Sequence, residues 1–95
     1  MFSIEWEFLP APGRAEEFVA AYGASGPWVT LFKRAPGYLG TQLLPIVERP
    51  GWYRTIDNWT SVDAYAAFRA EYADEYRAID IACARFTAQE RNVKR

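Results

Sequence analysis

Asp57, Asn58 and Trp59 stand together where a strand pattern runs into a helix start, and their types best suit chemistry. A carboxylate flanked by Ile56 and near an indole is a candidate general base. Desolvation disfavours its charged form and lifts its pKa towards the working range of a base. The competing reading of Asp57 is a carboxylate paired with an arginine. Glu5 and Glu7 lie two apart on a strand pattern, within about 7 Å of each other, as a paired-carboxylate site would. Nothing else in the chain supports a glycosidase or metal site, so arginine partners across the sheet or an interface are expected instead. The single cysteine, Cys83, falls late in an apolar stripe and suits a small buried residue. Histidine is absent. Its absence removes Ser-His-Asp and Cys-His catalysis, proximal-His haem ligation and most zinc sites. Chemistry must run on carboxylates, Tyr, Arg, Trp, one Cys, or reactivity that the substrate brings.

The elements that would position these groups follow from periodicity. Phe2, Ile4, Trp6 and Phe8 alternate with Ser3, Glu5 and Glu7, a period-two strand closed by Pro10 to Gly13. Ala15, Phe18, Val19 and Tyr22 give a helical stripe, so the spacing predicts a helix over 14–22 with Glu16 and Glu17 in its first turn. Pro27 opens a short helix running from Trp28 to Lys33 or Arg34. Residues 38–47 read as a second strand, placed at a sheet edge or bulge by Pro45. Residues 52–59 form a third, with Tyr53, Thr55, Asp57 and Trp59 on one face and Trp52, Arg54, Ile56 and Asn58 on the other. Both faces are mixed, as expected of a sheet covered by helices on one side and a partner on the other. Ser61 or Thr60 caps a helix over 62–84 whose stripe is Tyr65, Phe68, Tyr72, Tyr76, Ile79 and Cys83. That helix would be about 33 Å long, so a break is expected near Ala73 and Asp74. Phe86 to Val93 is a polar edge strand. The order β-α-(α)-β-β-α-β predicts an α+β, ferredoxin-like βαββαβ fold with a four-stranded antiparallel sheet.

The 95 residues make one domain, 1–95, small enough that dimerisation would add useful burial. Sixteen residues are aromatic (four Trp, six Tyr, six Phe), enough for a core, an interface and a pocket at once. A net charge of −1 without a basic stripe argues against nucleic acid. No apolar run reaches the length of a membrane span, the start lacks a basic leader region, and one cysteine forms no internal disulfide; together these predict a cytoplasmic protein.

Three features taken in order resemble the antibiotic biosynthesis monooxygenase family of the dimeric α+β barrel superfamily. They are the first strand followed by Pro-Gly and a helix, Pro36-Gly37-Tyr38-Leu39-Gly40 opening the second strand, and Trp59-Thr60-Ser61 opening the long helix, with Tyr65 and Phe68 beyond. The resemblance covers essentially the whole chain and implies a homodimeric barrel with a pocket in each subunit. It implies a small apolar or aromatic ligand, and cofactor-independent oxidation of a phenolic or polyketide-type substrate. The haem-degrading branch has a Trp at this junction, an Asn on strand one and a His on the long helix. Here Trp59 matches the Trp, Trp6 stands on strand one and no His exists, so haem breakdown is not implied. The polyketide-oxidising branch uses Asn, Trp, Tyr and Arg, for which this chain offers Asn58, Trp59, Tyr65, Tyr72 and Arg54 or Arg69. On this reading Asp57, Asn58 and Trp59 are catalytic, and Trp6, Trp28, Tyr38, Trp59, Tyr65, Phe68 and Tyr72 bind substrate with no cofactor and no metal. The alternative is a non-catalytic dimeric binding or scaffold module whose aromatics serve the core and interface.

Overall fold

The computed structural model describes residues 1–93. Four strands, β1 (Phe2–Pro10), β2 (Tyr38–Pro45), β3 (Tyr53–Trp59) and β4 (Thr87–Val93), form one antiparallel sheet in the order β2-β3-β1-β4. Four helices, α1 (Ala15–Tyr22), α2 (Pro27–Phe32), α3 (Val62–Glu71) and α4 (Ala73–Cys83), supply the rest of the core. This is the ferredoxin-like α+β fold. Pro45 ends β2 at an edge of the sheet, where its missing N–H costs no ladder bond. β4 is the opposite edge and carries the polar run Gln89-Glu90-Arg91-Asn92.

Several ends differ from the sequence pattern for local reasons. Arg14 lies just outside α1 and pairs with Glu17, while α2 already ends at Phe32. Residues 46–52 form the β2–β3 turn, with Ile46 N–H donating to the Trp52 carbonyl, so neither Val47 nor Trp52 belongs to a strand. The break between α3 and α4 falls at Tyr72, one residue before the expected place. There the ring lies under the Arg34 guanidinium at 5.0 Å, and its hydroxyl donates to the Arg34 carbonyl at 3.4 Å. A 3-10 turn, Ala84–Phe86, delays β4 to Thr87. Ser61 caps α3 as expected, its Oγ accepting from Ala64 N–H at 3.1 Å.

Strand parity divides the sheet. The register pairs Phe2 with Trp59, Trp6 with Thr55 and Glu7 with Arg54, so Trp6, Phe8, Thr55, Asp57 and Trp59 share the inner, helix-covered face. Glu5, Glu7, Arg54, Ile56, Asn58 and Arg91 share the outer face. Phe18, Trp59 and Phe68 are the largest fully buried side chains, each stabilising the core by about 1.5–3 kcal/mol of apolar burial. Gly37 locks β2 to the start of α3. Its φ of +90° disfavours a side chain, and a Cβ there would meet Thr60 Oγ1 and the Ala64 Cβ at 2.7 Å.

Candidate active site

A cavity of about 280 Å³ opens between the inner face of the sheet and the helices. Its floor is Thr41 from β2, Thr55 and Asp57 from β3, Trp6 and Phe8 from β1, and Glu90 from β4. Tyr22, Trp28, Val29 and Phe32 from α1 and α2 make one wall; Arg69, Tyr76 and Asp80 from α3 and α4 make the other. Six aromatic rings therefore surround a few polar groups, the composition expected of a small-molecule site.

Asp57 is the polar centre. Its carboxylate accepts from Thr41 Oγ1 at 2.8 Å and has no arginine against it among the described residues, so the alternative of an arginine-paired carboxylate does not hold for this group. Part of the residue still reaches water, but the carboxyl is deeply desolvated. Burial pushes its pKa up to about 6, against the smaller opposing pull of the Thr41 hydroxyl. Burial also raises the phenols of Tyr22 and Tyr76, the latter to about 12, so both stay protonated at neutral pH. Glu90 is raised by desolvation and by the neighbouring Asp80 charge. Arg69 is the cationic group of the cavity. Its Cζ lies 3.9 Å from the centroid of the Tyr76 ring, and its Nη1 donates to the Tyr65 hydroxyl at 3.0 Å.

Trp6, Trp28, Asp57 and Arg69 thus reach the cavity, and the other sequence candidates do not line it. Trp59 is 0% exposed and sits at the end of β3 beneath α3, packed against Phe68 at 5.0 Å, Tyr38 at 5.3 Å and Tyr65 at 5.4 Å. It is a core residue one layer behind the wall expected of it. Asn58 faces the other way: Ser3 Oγ donates to its Oδ1 at 2.6 Å on the outer face, because adjacent strand residues point to opposite sides. Tyr65 touches the site only through Arg69, Phe68 fills the core, and Tyr72 turns to Arg34. Tyr38 lies beside the site and hydrogen-bonds Thr41 at 2.6 Å. Arg54 is on the outer face with Glu7, which leaves Arg69 as the arginine of the cavity. Sequence reasoning missed Thr41, Thr55, Phe8, Tyr22, Val29, Phe32, Tyr76, Asp80 and Glu90 as lining residues. The inner-face parity of β1 and β3 could have found Phe8 and Thr55.

The outer face is built on the opposite principle. Glu7 is 2% exposed, yet what covers it is a thin layer of guanidinium groups rather than deep protein. Arg49 and Arg91 reach Oε1 at 2.6 Å each, and Arg54 reaches Oε2 at 3.0 Å. The hydrogen bonds from Arg49 and Arg54 hold its pKa down to about 2. This is the arginine partnership expected for the strand-one glutamates.

Among the described residues no group of three or more Asp, Glu or Cys comes together as a metal site, and no helix is long and apolar enough to cross a membrane. Comparison with known proteins gives one family. The antibiotic biosynthesis monooxygenase profile matches residues 1–79. No curated protein matches the chain. Among solved structures, a candidate antibiotic biosynthesis monooxygenase from Nitrosomonas europaea is similar at TM-score 0.71 and 16% identity, over 98% of this chain and 94% of that one. Rv0793 from Mycobacterium tuberculosis is similar at TM-score 0.69 and 14% identity, over 98% and 92%. SnoaB from Streptomyces nogalater, a cofactor-independent oxygenase, is similar at TM-score 0.58 and 19% identity, over 98% and 90%. At these identities the likeness carries the fold.

Proposed function

We infer the function from one premise: the chain belongs to the antibiotic biosynthesis monooxygenase family. Within it, the protein binds a small, largely apolar aromatic molecule and oxidises a phenolic or polyketide-type substrate with molecular oxygen and no bound cofactor. One observation carries this reading. Asp57 is a desolvated carboxylate, unpaired with any arginine among the described residues, with its pKa pushed up to about 6, on the floor of an aromatic cavity. A base so tuned is ionised at neutral pH and still takes a proton readily. The naming of SnoaB as a cofactor-independent oxygenase supports the same chemistry on this fold.

In the proposed reaction Asp57 takes a proton from the acidic CH2 carbon of an anthrone-like substrate. The resulting carbanion gives its electrons to O2 and a C–O bond forms, leaving a peroxide anion that recovers the proton. Loss of the second C–H proton with O–O cleavage gives a ketone, and the departing hydroxide becomes water. In sum, CH2 and O2 become C=O and H2O. Arg69 lies on the α3–α4 wall, where a fixed cation stabilises the enolate and peroxide charges. The aromatic walls exclude water and hold the ring system. The same reading makes the protein a homodimer joined through the outer sheet face, where Ile56 and the 43%-exposed Leu44 lie among the charges.

The test is oxygen uptake with an anthrone or a hydroquinone, comparing the wild type with Asp57→Asn and a protein-free control. Turnover lost in the variant supports the reading; wild-type turnover equal to the control overturns it. A second reading, a non-catalytic dimeric binding module, is favoured by one observation: Asn58 and Trp59 do not line the cavity. Tight binding of an aromatic ligand without oxygen uptake would select it.

A further inference from the structure

Tyr38 and Thr41 lie three apart on β2, a spacing that puts side chains on opposite faces of a regular strand. Here they share the inner face. The register shifts between Tyr38, opposite Trp59, and Gly40, opposite Asn58, so Leu39 is an extra bulged residue, 56% exposed. Gly40 takes φ +138°, a conformation that a side chain would strain. The bulge brings the Tyr38 hydroxyl to 2.6 Å from Thr41 Oγ1, which lies 2.8 Å from Asp57 Oδ1. An edge contact with Trp59 at 5.3 Å and a tilted one with Phe32 at 5.5 Å fix the Tyr38 ring.

Donor counting sets the direction of this chain. A threonine hydroxyl carries one hydrogen. While Asp57 is ionised that hydrogen goes to Oδ1, so Tyr38 must donate to Thr41. Resting on the catalytic reading above, we propose that Tyr38 and Thr41 are positioning residues: a bulge-built hydroxyl relay that commits Asp57 Oδ1 to Thr41 and leaves Oδ2 as the atom that accepts the substrate proton. The relay also stabilises the carboxylate form, offsetting part of its desolvation. Burial raises the Tyr38 phenol and keeps it a donor. The other titratable or charged groups around the cavity are Tyr22 from α1, Arg69 from α3, Tyr76 and Asp80 from α4, and Glu90 from β4. α2 presents only Trp28, Val29 and Phe32, and β1 only Trp6 and Phe8.

Carbon-detected NMR of the Asp57 carboxyl gives a readout independent of turnover. Thr41→Val raises the Asp57 midpoint by about one pH unit, so that well below the midpoint its ionised fraction falls about tenfold. Tyr38→Phe raises it by a smaller amount, and Thr41→Ser restores the wild-type midpoint. The acid limb of the oxygen-uptake profile moves with these midpoints, chiefly in kcat rather than KM. An Asp57 midpoint unmoved by Thr41→Val, with the variant folded by circular dichroism, overturns the relay. If the wild type consumes no oxygen, the catalytic reading falls while the NMR titration still decides whether the hydroxyls tune Asp57.

Discussion

On the inner face of the sheet Asp57 meets one hydroxyl and a ring of aromatics, and its pKa rises to about 6. On the next strand, facing the other way, Glu7 meets three guanidinium groups and its pKa falls to about 2. Two carboxylates with nearly the same ordinary acidity are thus driven apart by surroundings alone. The inner face desolvates charge and leaves it unpaired, which costs stability and creates a base. The outer face surrounds the Glu7 charge with guanidinium groups, which holds it ionised and unfit to take up a proton near neutral pH.

The contrast is broken most decisively by neutralising each carboxylate. Asp57→Asn should lower oxygen-dependent turnover of an anthrone by about 10²–10⁴-fold, whereas Glu7→Gln should leave it within about threefold; oxygen-electrode rates decide. Wild-type turnover should rise with pH through about 6, since the ionised form is the active one. Arg69→Met comes next, at about 10²-fold in kcat, as for the loss of one preorganised donor to a developing anion. Stopped-flow measurement would separate this from a binding defect.

The stability arms run in opposite directions. Glu7→Gln takes the shared carboxylate from three guanidiniums, of which Arg54 keeps Glu5 at 3.9 Å, and should cost about 2 kcal/mol in urea unfolding at pH 7, less than a deeply buried pair would. Because its folded pKa lies below the ordinary value of 4.5, Glu7's contribution is present above 4.5 and is lost as pH falls through about 2. Asp57→Asn should stabilise the fold by about 1 kcal/mol at pH 8, discounted for the part of the residue that reaches water. Its folded pKa is raised above 3.8, so the penalty it relieves is full above about 6 and vanishes as pH falls towards 3.8. Unfolding curves for both variants at pH 3, 5 and 8 would resolve the opposite signs.

The fold was legible because its signals are local. Strict alternation in β1, Pro45 at an edge and the Ser61 cap each follow from backbone geometry over a few residues. Asp57 was legible for the same reason: an acid beside Ile56 and near Trp59 on a strand pattern. Period two also put Asn58 on the other face, and only the family resemblance drew it into the site. Trp59 was overread because aromatic spacing cannot separate a ring lining a cavity from one packed a layer behind it. Thr41 was hidden by the Leu39 bulge, which reverses the parity of β2 between Tyr38 and Thr41. Arg69 was offered beside Arg54 by the family resemblance, four residues after Tyr65, and the fold that brings it over Tyr76 decides between the two.

The most direct measurement is a pH titration of the Asp57 and Glu7 carboxyl carbons by NMR, with and without an anthraquinone as a product-like occupant of the cavity. The predicted result is a midpoint near 6 for Asp57 that moves on binding, and one near 2 for Glu7 that does not. Two midpoints near the ordinary carboxylate value, both indifferent to the ligand, would contradict the account.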